Sequence, residues 1–364
     1  MTSWYNMVRL PSPMPSVTCL PDTPIVTPIV TVAMAAHNAA AFIAPAIRSV
    51  LRQTLPQLEL IVVDDCSSDQ TCAVVSGLAS SDARVRLERL TSNRGPGGAR
   101  NRALELARGA WFAVLDADDL YAPDRLERLV ATATREDADL IADNPVLFSG
   151  DDDDRPALFL SGPPPAGWIS LHDYLRETLM FSPDGANYGY LKPMFRTDRL
   201  RAGGLSYNPA LRIAEDDDLI VRLLMAGQRY WLEPVPTYAY RKHAGSISHR
   251  LSAGNADAMV AQGKALAALP HLPAIADLLH RRWRAFHRAA EYARLLDALK
   301  ARDLAAVARL CTRSPRILPL LSEPLGMRLE ARLPVLQHLR RPAPRDPVAE
   351  QAIAAITDGL DQPA

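Results

Sequence analysis

WFAVLDADDLYAPDRL, residues 111–126, runs from a wholly apolar stretch straight into Asp116, Asp118 and Asp119. Short apolar runs of this kind read as strands buried on both faces, and PDRLERLVATAT (123–134) then opens a helix with proline in its first turn. Mutually repelling carboxylates at the end of such a strand leave two readings open. Either the cluster is a solvated acidic turn, or a positive charge belongs there.

Upstream, the same order of elements recurs. IVTPIVTVAMAAHN (25–38) begins β-branched and ends polar, and AAFIAPAIRSVLRQ (40–53) puts Ile43, Ile47, Val50 and Leu51 at helical spacing. LELIVVDDCSSDQT (58–71) is an apolar run that stops at Asp64 and Asp65, with Ser68 or Asp69 placed to cap a following helix. VRLERLTSNRGPGGARNRALELARG (85–109) gives a strand, a glycine-rich turn and an amphipathic helix ending near Gly109. Alternation of this kind predicts an α/β fold, a parallel sheet covered by helices on both faces, with ligands beyond the carboxyl ends of the strands. Asp64–Asp65 and Asp116–Asp119 both fall at such ends.

Downstream, the acidic run at 151–155 and GPPPAG (162–167) read as surface loop. RIAEDDDLIVRLLMAGQ (212–228) predicts a helix whose first turn carries Glu215 to Asp218, where acid also suits the helix dipole. YWLEPVPTYAYRKHAGSISHR (230–250) reads as strand ending in a basic, hydroxyl-rich loop. Beyond about residue 255 the chain becomes Ala/Leu/Arg helices, with fourteen Lys/Arg against six Asp/Glu between residues 277 and 341. That region suits a basic helical subdomain with its own small core, ahead of a helical cap for the main domain or a surface for anionic lipid.

The totals set limits. Over 364 residues the formal net charge is zero, which argues against a general nucleic-acid binder. No run of eighteen apolar residues predicts a membrane-spanning helix. Cys19, Cys66, Cys72 and Cys311 are scattered without zinc spacing, so a reduced cytoplasmic setting is expected. The proline-broken N-terminus reads as a flexible leader.

Several constellations could carry chemistry. Asp116 and Asp118 suit Mg²⁺ or Mn²⁺, hard ions that keep waters and take up substrate phosphates. Asp65 can accept from a nucleobase N–H or a ribose hydroxyl. Gly95, Gly97 and Gly98 permit close backbone approach, and Arg100 near a helix start suits a diphosphate, although the stretch matches neither GxGxxG nor GxxxxGK[ST]. A carboxylate within AEDDDL can serve as a proton acceptor near neutral pH, and His243 as a metal or phosphate contact.

Taken in order, VTVAMAAHN, SVLRQTLPQLELIVVDDCSSDQT, NRGPGGARNRALELARGAWFAVLDADDLYAPDRL, AEDDDLIVRL and YRKHAGSIS resemble the family 2 glycosyltransferases of the GT-A fold, over roughly residues 25–250. The resemblance implies a Rossmann-like, mixed but mostly parallel sheet flanked by helices. It divides the chain into a flexible leader (1–24), a GT-A domain (25–252) and a helical C-terminal region (253–364). It implies an inverting, metal-dependent transfer from a nucleotide-diphosphate sugar, UDP- or GDP-linked, to a saccharide or lipid-linked acceptor. Asp216 looks like the catalytic base. Asp65, Asp116, Arg100, Glu215 and His37 look like nucleotide-sugar contacts, and Asp118 with His243 like ligands of Mn²⁺ or Mg²⁺. Cys66 stands where glycine is common. The closing loop is similar to that of bacterial exopolysaccharide enzymes of the succinoglycan type. The basic helical tail suggests peripheral contact of a cytoplasmic enzyme at the inner membrane face, where a lipid-linked saccharide would be the acceptor. Two alternatives share the acids: a nucleotide-sugar-binding protein without transfer activity, and a nucleotidyltransferase. The latter normally needs a basic, glycine-rich first loop, and PIVTVAMAAHNAA (28–40) has no Lys, Arg or Gly.

Overall fold

VTVAMAA and LELIVVD carry apolar side chains on both faces, and in the fold both faces are covered. The computed structural model describes residues 27–149, 155–161, 166–181, 187–243, 251–270, 272–321 and 345–360. The expected leader, most of the acidic run at 151–155, part of the proline stretch at 162–167 and the loop at 244–250 lie outside the described residues.

Strands β1 (Val30–Ala36) and β2 (Leu58–Asp64) pair in parallel, with Val30 opposite Leu58 and Ala36 opposite Asp64. Side chains alternate between the two faces of a strand. Val32, Met34, Leu60 and Val62 therefore share one core with Ile43, Ile47 and Val50 of α1 (Ile43–Leu51) and Val75 of α2 (Thr71–Ser81). Ala33, Ile61 and Val63 face the other core, built on Ala99, Ala103 and Leu104 of α3 (Gly95–Leu106), which follows β3 (Val85–Arg89). Each fully buried Val, Ile or Leu contributes about 1.5–3 kcal/mol. A one-residue register slip would exchange the two faces.

The main sheet has eight strands in the order β3-β2-β1-β4-β10-β6-β11-β9, with β4 (Trp111–Val114), β6 (Leu140–Asp143), β9 (Gly167–Ile169), β10 (Met194–Arg196) and β11 (Tyr230–Glu233). The run β3-β2-β1-β4 is parallel throughout, as is β6-β11; β10 enters antiparallel between β4 and β6, and β9 is an antiparallel edge. This is the mixed, mostly parallel sheet flanked by helices that was expected. The turn into β4 is fixed from below. Gly109 passes so close to β1 that a Cβ there would stand 2.4 Å from the Thr31 amide nitrogen. Thr31 Oγ1 accepts from the Gly109 amide and donates to Glu59 Oε1.

The segment 230–250 is not one strand. Pro234 and Pro236 lack amide donors and separate β11 from β12 (Tyr238–Lys242), which leaves the main sheet. β12 instead centres a four-stranded sheet, β5-β12-β7-β8, with β5 (Leu120–Tyr121), β7 (Val146–Ser149) and β8 (Ala157–Leu158).

Helix α4 (Arg125–Arg135) lies on the α1 side; α5 (Leu171–Glu177), α6 (Thr197–Ala202) and α7 (Glu215–Met225) follow. Among the described residues the basic C-terminal helices do not build a small core of their own. α8 (Ala253–Ala267) and α9 (Pro273–Lys300) add Leu266, Leu278 and Leu279 to the α3 and α7 core. α10 (Leu304–Arg313) and a 3₁₀ helix at Pro315–Leu321 continue beside α9, while α11 (Pro347–Thr357) packs Ile356 against Leu120, Phe148 and Ala239 of the small sheet.

Candidate active site

The parallel strands end level with one another. Ala36 pairs with Asp64, and Ala33 with Val114, so the registers bring His37, Asp65 and Asp116 to one rim. Above that rim is a pocket of about 700 Å³. His37, Asp65, Arg100, Asp116, Asp118, Glu215, Asp216 and His243 all line it, as do Leu251 and, from the C-terminal region, Met259 and Phe286.

At the β1–β2 side the pocket wall is stitched by short-range hydrogen bonds. The Asp65 carboxylate accepts from the amides of Arg94 (2.6 Å) and Gly95 (2.8 Å), where Gly95 has φ +75°. Asp65 therefore anchors the start of α3 with both oxygens, a use the sequence reading did not assign to it. His37 Nδ1 lies 2.8 Å from the Asp65 carbonyl oxygen, which also accepts from Asn93 Nδ2. Cys66 has φ +62°, a left-handed conformation glycine adopts without strain, and this accounts for glycine being common there.

The centre is a closed ring of charges. Arg100 Nη2 donates to Asp116 Oδ1 (2.6 Å), and its Nη1 to Glu215 Oε1 (2.6 Å) and Asp216 Oδ1 (2.9 Å). Lys192 Nζ lies 2.9 Å from both Asp116 Oδ2 and Asp216 Oδ2. Asp116 and Asp216 are thus joined twice, through two different cations. Burial opposes ionisation of Asp116, but Lys192 and Arg100 outweigh it and hold the carboxyl well below its usual range. Burial pulls the Lys192 ammonium down, and the Asp116 and Asp216 charges more than reverse that. Burial and the Asp216 charge together raise the Glu215 carboxyl. Arg100, read as a diphosphate contact, lines the pocket and is buried with both terminal nitrogens on carboxylates.

Lys192 escaped the sequence reading. Its backbone carbonyl is fixed by Arg125 Nη2 (2.8 Å), and Arg125 is paired bidentately with Asp143, to which Thr237 also donates. That chain of buried contacts ties the lysine to β6 and α4.

Beside the ring, β12 runs antiparallel to β5, with Ala239 opposite Leu120 and Tyr238 opposite Tyr121. Extending that register carries His243 back past Asp118, and His243 Nε2 lies 2.8 Å from Asp118 Oδ2. Arg241 Nε donates to the Asp118 carbonyl, and the Arg241 amide to Asp119 Oδ1. Asp119 also accepts from Tyr238 Oη (2.5 Å); burial and the Asp118 and Asp116 charges push its carboxyl well up. Asp118 keeps 30% side-chain exposure. Among the described residues no three His, Cys, Asp or Glu side chains converge as a metal cluster. Asp118 and His243 offer one oxygen and one nitrogen donor, so the remaining donors around a divalent ion would come from a ligand and water.

The first turn of α7 distributes its acids. Ala214, the residue before it, has φ +63°, a strained conformation for alanine. Glu215 and Asp216 join the ring, Asp217 pairs with Arg282 of α9, and Asp218 accepts from Arg222 and from Gln262 of α8. Burial draws the Arg282 guanidinium down to about 10.

Known proteins give concordant matches. The family model described as Glycosyl transferase family 2 matches residues 31–199. Succinoglycan biosynthesis protein ExoO of Rhizobium meliloti (strain 1021) is 38% identical over 303 residues, covering 83% of this chain and 86% of the relative. The UDP-Glc:alpha-D-GlcNAc-diphosphoundecaprenol beta-1,3-glucosyltransferase WfgD of Escherichia coli is 41% identical over 103 residues, 28% of this chain and 40% of its own. Among solved structures, S. aureus TarS 1-349 with UDP-GlcNAc superposes with TM-score 0.57 at 20% identity, covering 79% of this chain and 91% of that one. The Pyrobaculum calidifontis mannosyltransferase PcManGT with GDP-Man and Mn²⁺ gives 0.52 at 20% identity, covering 90% and 85%. At that identity the two structures establish the GT-A fold alone.

Proposed function

The chain belongs to glycosyl transferase family 2, and from that premise and the pocket geometry we propose an inverting transfer. A sugar moves from a UDP- or GDP-linked donor to a saccharide or lipid-linked acceptor, in assembly of a bacterial exopolysaccharide or related surface glycan. In this reading Asp65 and His37 bind the nucleoside and Asp116 the ribose side. Arg100, Glu215 and Lys192 position Asp116 and Asp216 rather than meeting the diphosphate.

Asp216 is the base. Each carboxylate oxygen can accept more than one hydrogen bond, so the Arg100 and Lys192 contacts leave a lone pair for an acceptor hydroxyl. The acceptor oxygen forms its bond to the anomeric carbon as the bond to the diphosphate breaks on the opposite face. Asp216 takes the hydroxyl proton, and a nucleoside diphosphate leaves. Asp118 and His243 would hold Mn²⁺ or Mg²⁺, which when bound supplies positive charge for the departing diphosphate. Among the described residues no helix is long and apolar enough to cross a membrane, and the proposal gives peripheral contact at the inner membrane face to basic side chains.

The observation that carries this reading is the convergence of Asp116, Asp118 and Asp216 on one pocket at the strand ends. The test is incubation with labelled UDP- and GDP-sugars, with and without Mn²⁺, with nucleoside diphosphate as the expected product. Asp216→Asn should lower turnover by about 10²–10⁴ while donor binding persists. Pyrophosphate release, or full turnover in Asp216→Asn, overturns the mechanism.

A further inference from the structure

A second concavity, about 730 Å³, lies against the first. Thr178 and Met180 line the reaction pocket, while Leu179, Met180 and Phe181 line its neighbour, so Met180 is a shared wall. Helix α9 divides in the same way. Phe286 faces the reaction pocket, and Trp283, Arg284 and Arg288 face the groove. Arg281, Arg284 and Arg288 recur at three- and four-residue spacing along one helix face, and Arg313 and Arg316 come from the end of α10 and the 3₁₀ helix.

The groove is therefore lined by five arginines and one carboxylate, Glu291, which is itself taken by Ser314 Oγ at 2.6 Å. Among the described residues Arg281 pairs with Asp277 alone, at 3.9 Å on its own helix. Among the described residues no carboxylate pairs with Arg284, Arg288, Arg313 or Arg316. Arg288 stacks over Phe181 at 4.5 Å, and its Nε is buried with no hydrogen-bond partner. A cation at the end of α10 is expected from the helix dipole, which accounts for Arg313 alone. Like charges gathered around a concave surface repel one another and focus the field on an anion. Guanidinium forks match phosphate oxygens in pairs.

We propose that this groove binds the phosphate or diphosphate through which the acceptor saccharide is carried, holding the acceptor beside Asp216. The proposal rests on the glycosyl-transfer reading and specifies its acceptor as an anionic, phosphate-linked one. The apolar lining from Phe181 and Trp283 suits the carrier end of such a molecule. A bilayer phosphate shares the chemistry, and the test separates the two.

Farnesyl diphosphate and farnesol serve as probes for calorimetric titration of the full chain, and phosphatidylglycerol vesicles for flotation. Three proteins are compared: wild type, Arg284→Ala/Arg316→Ala at two exposed positions, and Asp118→Asn. Thermal melts check that the variants are folded, and the single Arg316→Ala replaces the double variant if that is not. Farnesyl diphosphate should bind wild type, with farnesol silent. The double variant should lose at least about tenfold in affinity, since each arginine supplies a charge-assisted contact, and Asp118→Asn should keep it. Equal binding by wild type and the groove variant overturns the proposal, as does a loss confined to Asp118→Asn. If vesicles capture wild type as well as farnesyl diphosphate does, and the groove variant loses both together, the groove faces the bilayer and the acceptor assignment falls. Nucleoside diphosphate release from donor mixed with a phosphate-linked saccharide acceptor is followed in parallel. Its absence with groove binding intact counts against the transfer reading and leaves the anion site standing.

Discussion

Lys192→Met is the sharpest probe of the charged ring. It keeps the length of the side chain and removes the ammonium that lies 2.9 Å from Asp116 Oδ2 and from Asp216 Oδ2. Losing one partner of a fully buried pair costs about 3–5 kcal/mol. Here the Lys192 and Asp216 side chains are 10% and 11% exposed, but Asp116 is 24% exposed. Arg100 still meets both acids, so the expected loss is smaller, about 2–3 kcal/mol. Urea unfolding followed by circular dichroism reads it. Turnover should fall about 10²-fold, the scale of a misplaced reacting group, with donor affinity little changed. The cycle with Asp216→Asn isolates the contact: in that background the same substitution should cost at least about 1 kcal/mol less. Wild-type stability and turnover in Lys192→Met, or strict additivity in the cycle, would refute the bridging role.

Asp118→Asn and His243→Ala should each raise the Mn²⁺ or Mg²⁺ concentration needed for half-maximal nucleoside diphosphate release by at least about tenfold; an unchanged midpoint removes them as ligands. Arg282→Met leaves Asp217 buried without its cation and should cost about 3–5 kcal/mol in urea unfolding, partly recovered by adding Asp217→Asn. A loss under about 0.5 kcal/mol, the usual scale of a surface substitution, would show that α9 is not held there. Glu59→Gln tests pH linkage at the base of the sheet. Burial works against the Glu59 charge, but the hydrogen bonds from Thr31 and Arg108 outweigh it and lower its carboxyl. A lowered folded-state value stabilises above the unfolded value and fades as pH falls through the folded one. The deficit of Glu59→Gln, about 1–3 kcal/mol, should be full at pH 7 and close on acidification below about pH 4; a gap that stays constant with pH rules the charge out.

The parts of the fold that could be read from residues are those with internal periodicity. LELIVVD is buried at every position, and Ile43, Ile47 and Val50 repeat at helical spacing, so neither needs knowledge of its neighbours. β10 is three residues long and sits mid-sheet only because β4 and β6 leave it a place. Three residues have no period to detect. The acids were found because they end recognisable strands or open a recognisable helix. Lys192 was missed because it belongs to no regular element and its partners are brought to it by tertiary packing. Arg282 shows the same limit. Among the cations of α9 it looks like Arg281 or Arg284, yet it alone of the three turns inward to a carboxylate of α7.

The α7 turn has a practical corollary for engineering. Its consecutive carboxylates are answered by α3, by the segment before β10, by α9 and by α8. A cassette cut at residue 252 would discard Arg282 and Gln262, leaving two carboxylates beside the charged ring without those counterparts. Chimaeras meant to exchange acceptor preference by swapping tails must bring replacements for both, or the graft will disturb the very turn that holds Asp216.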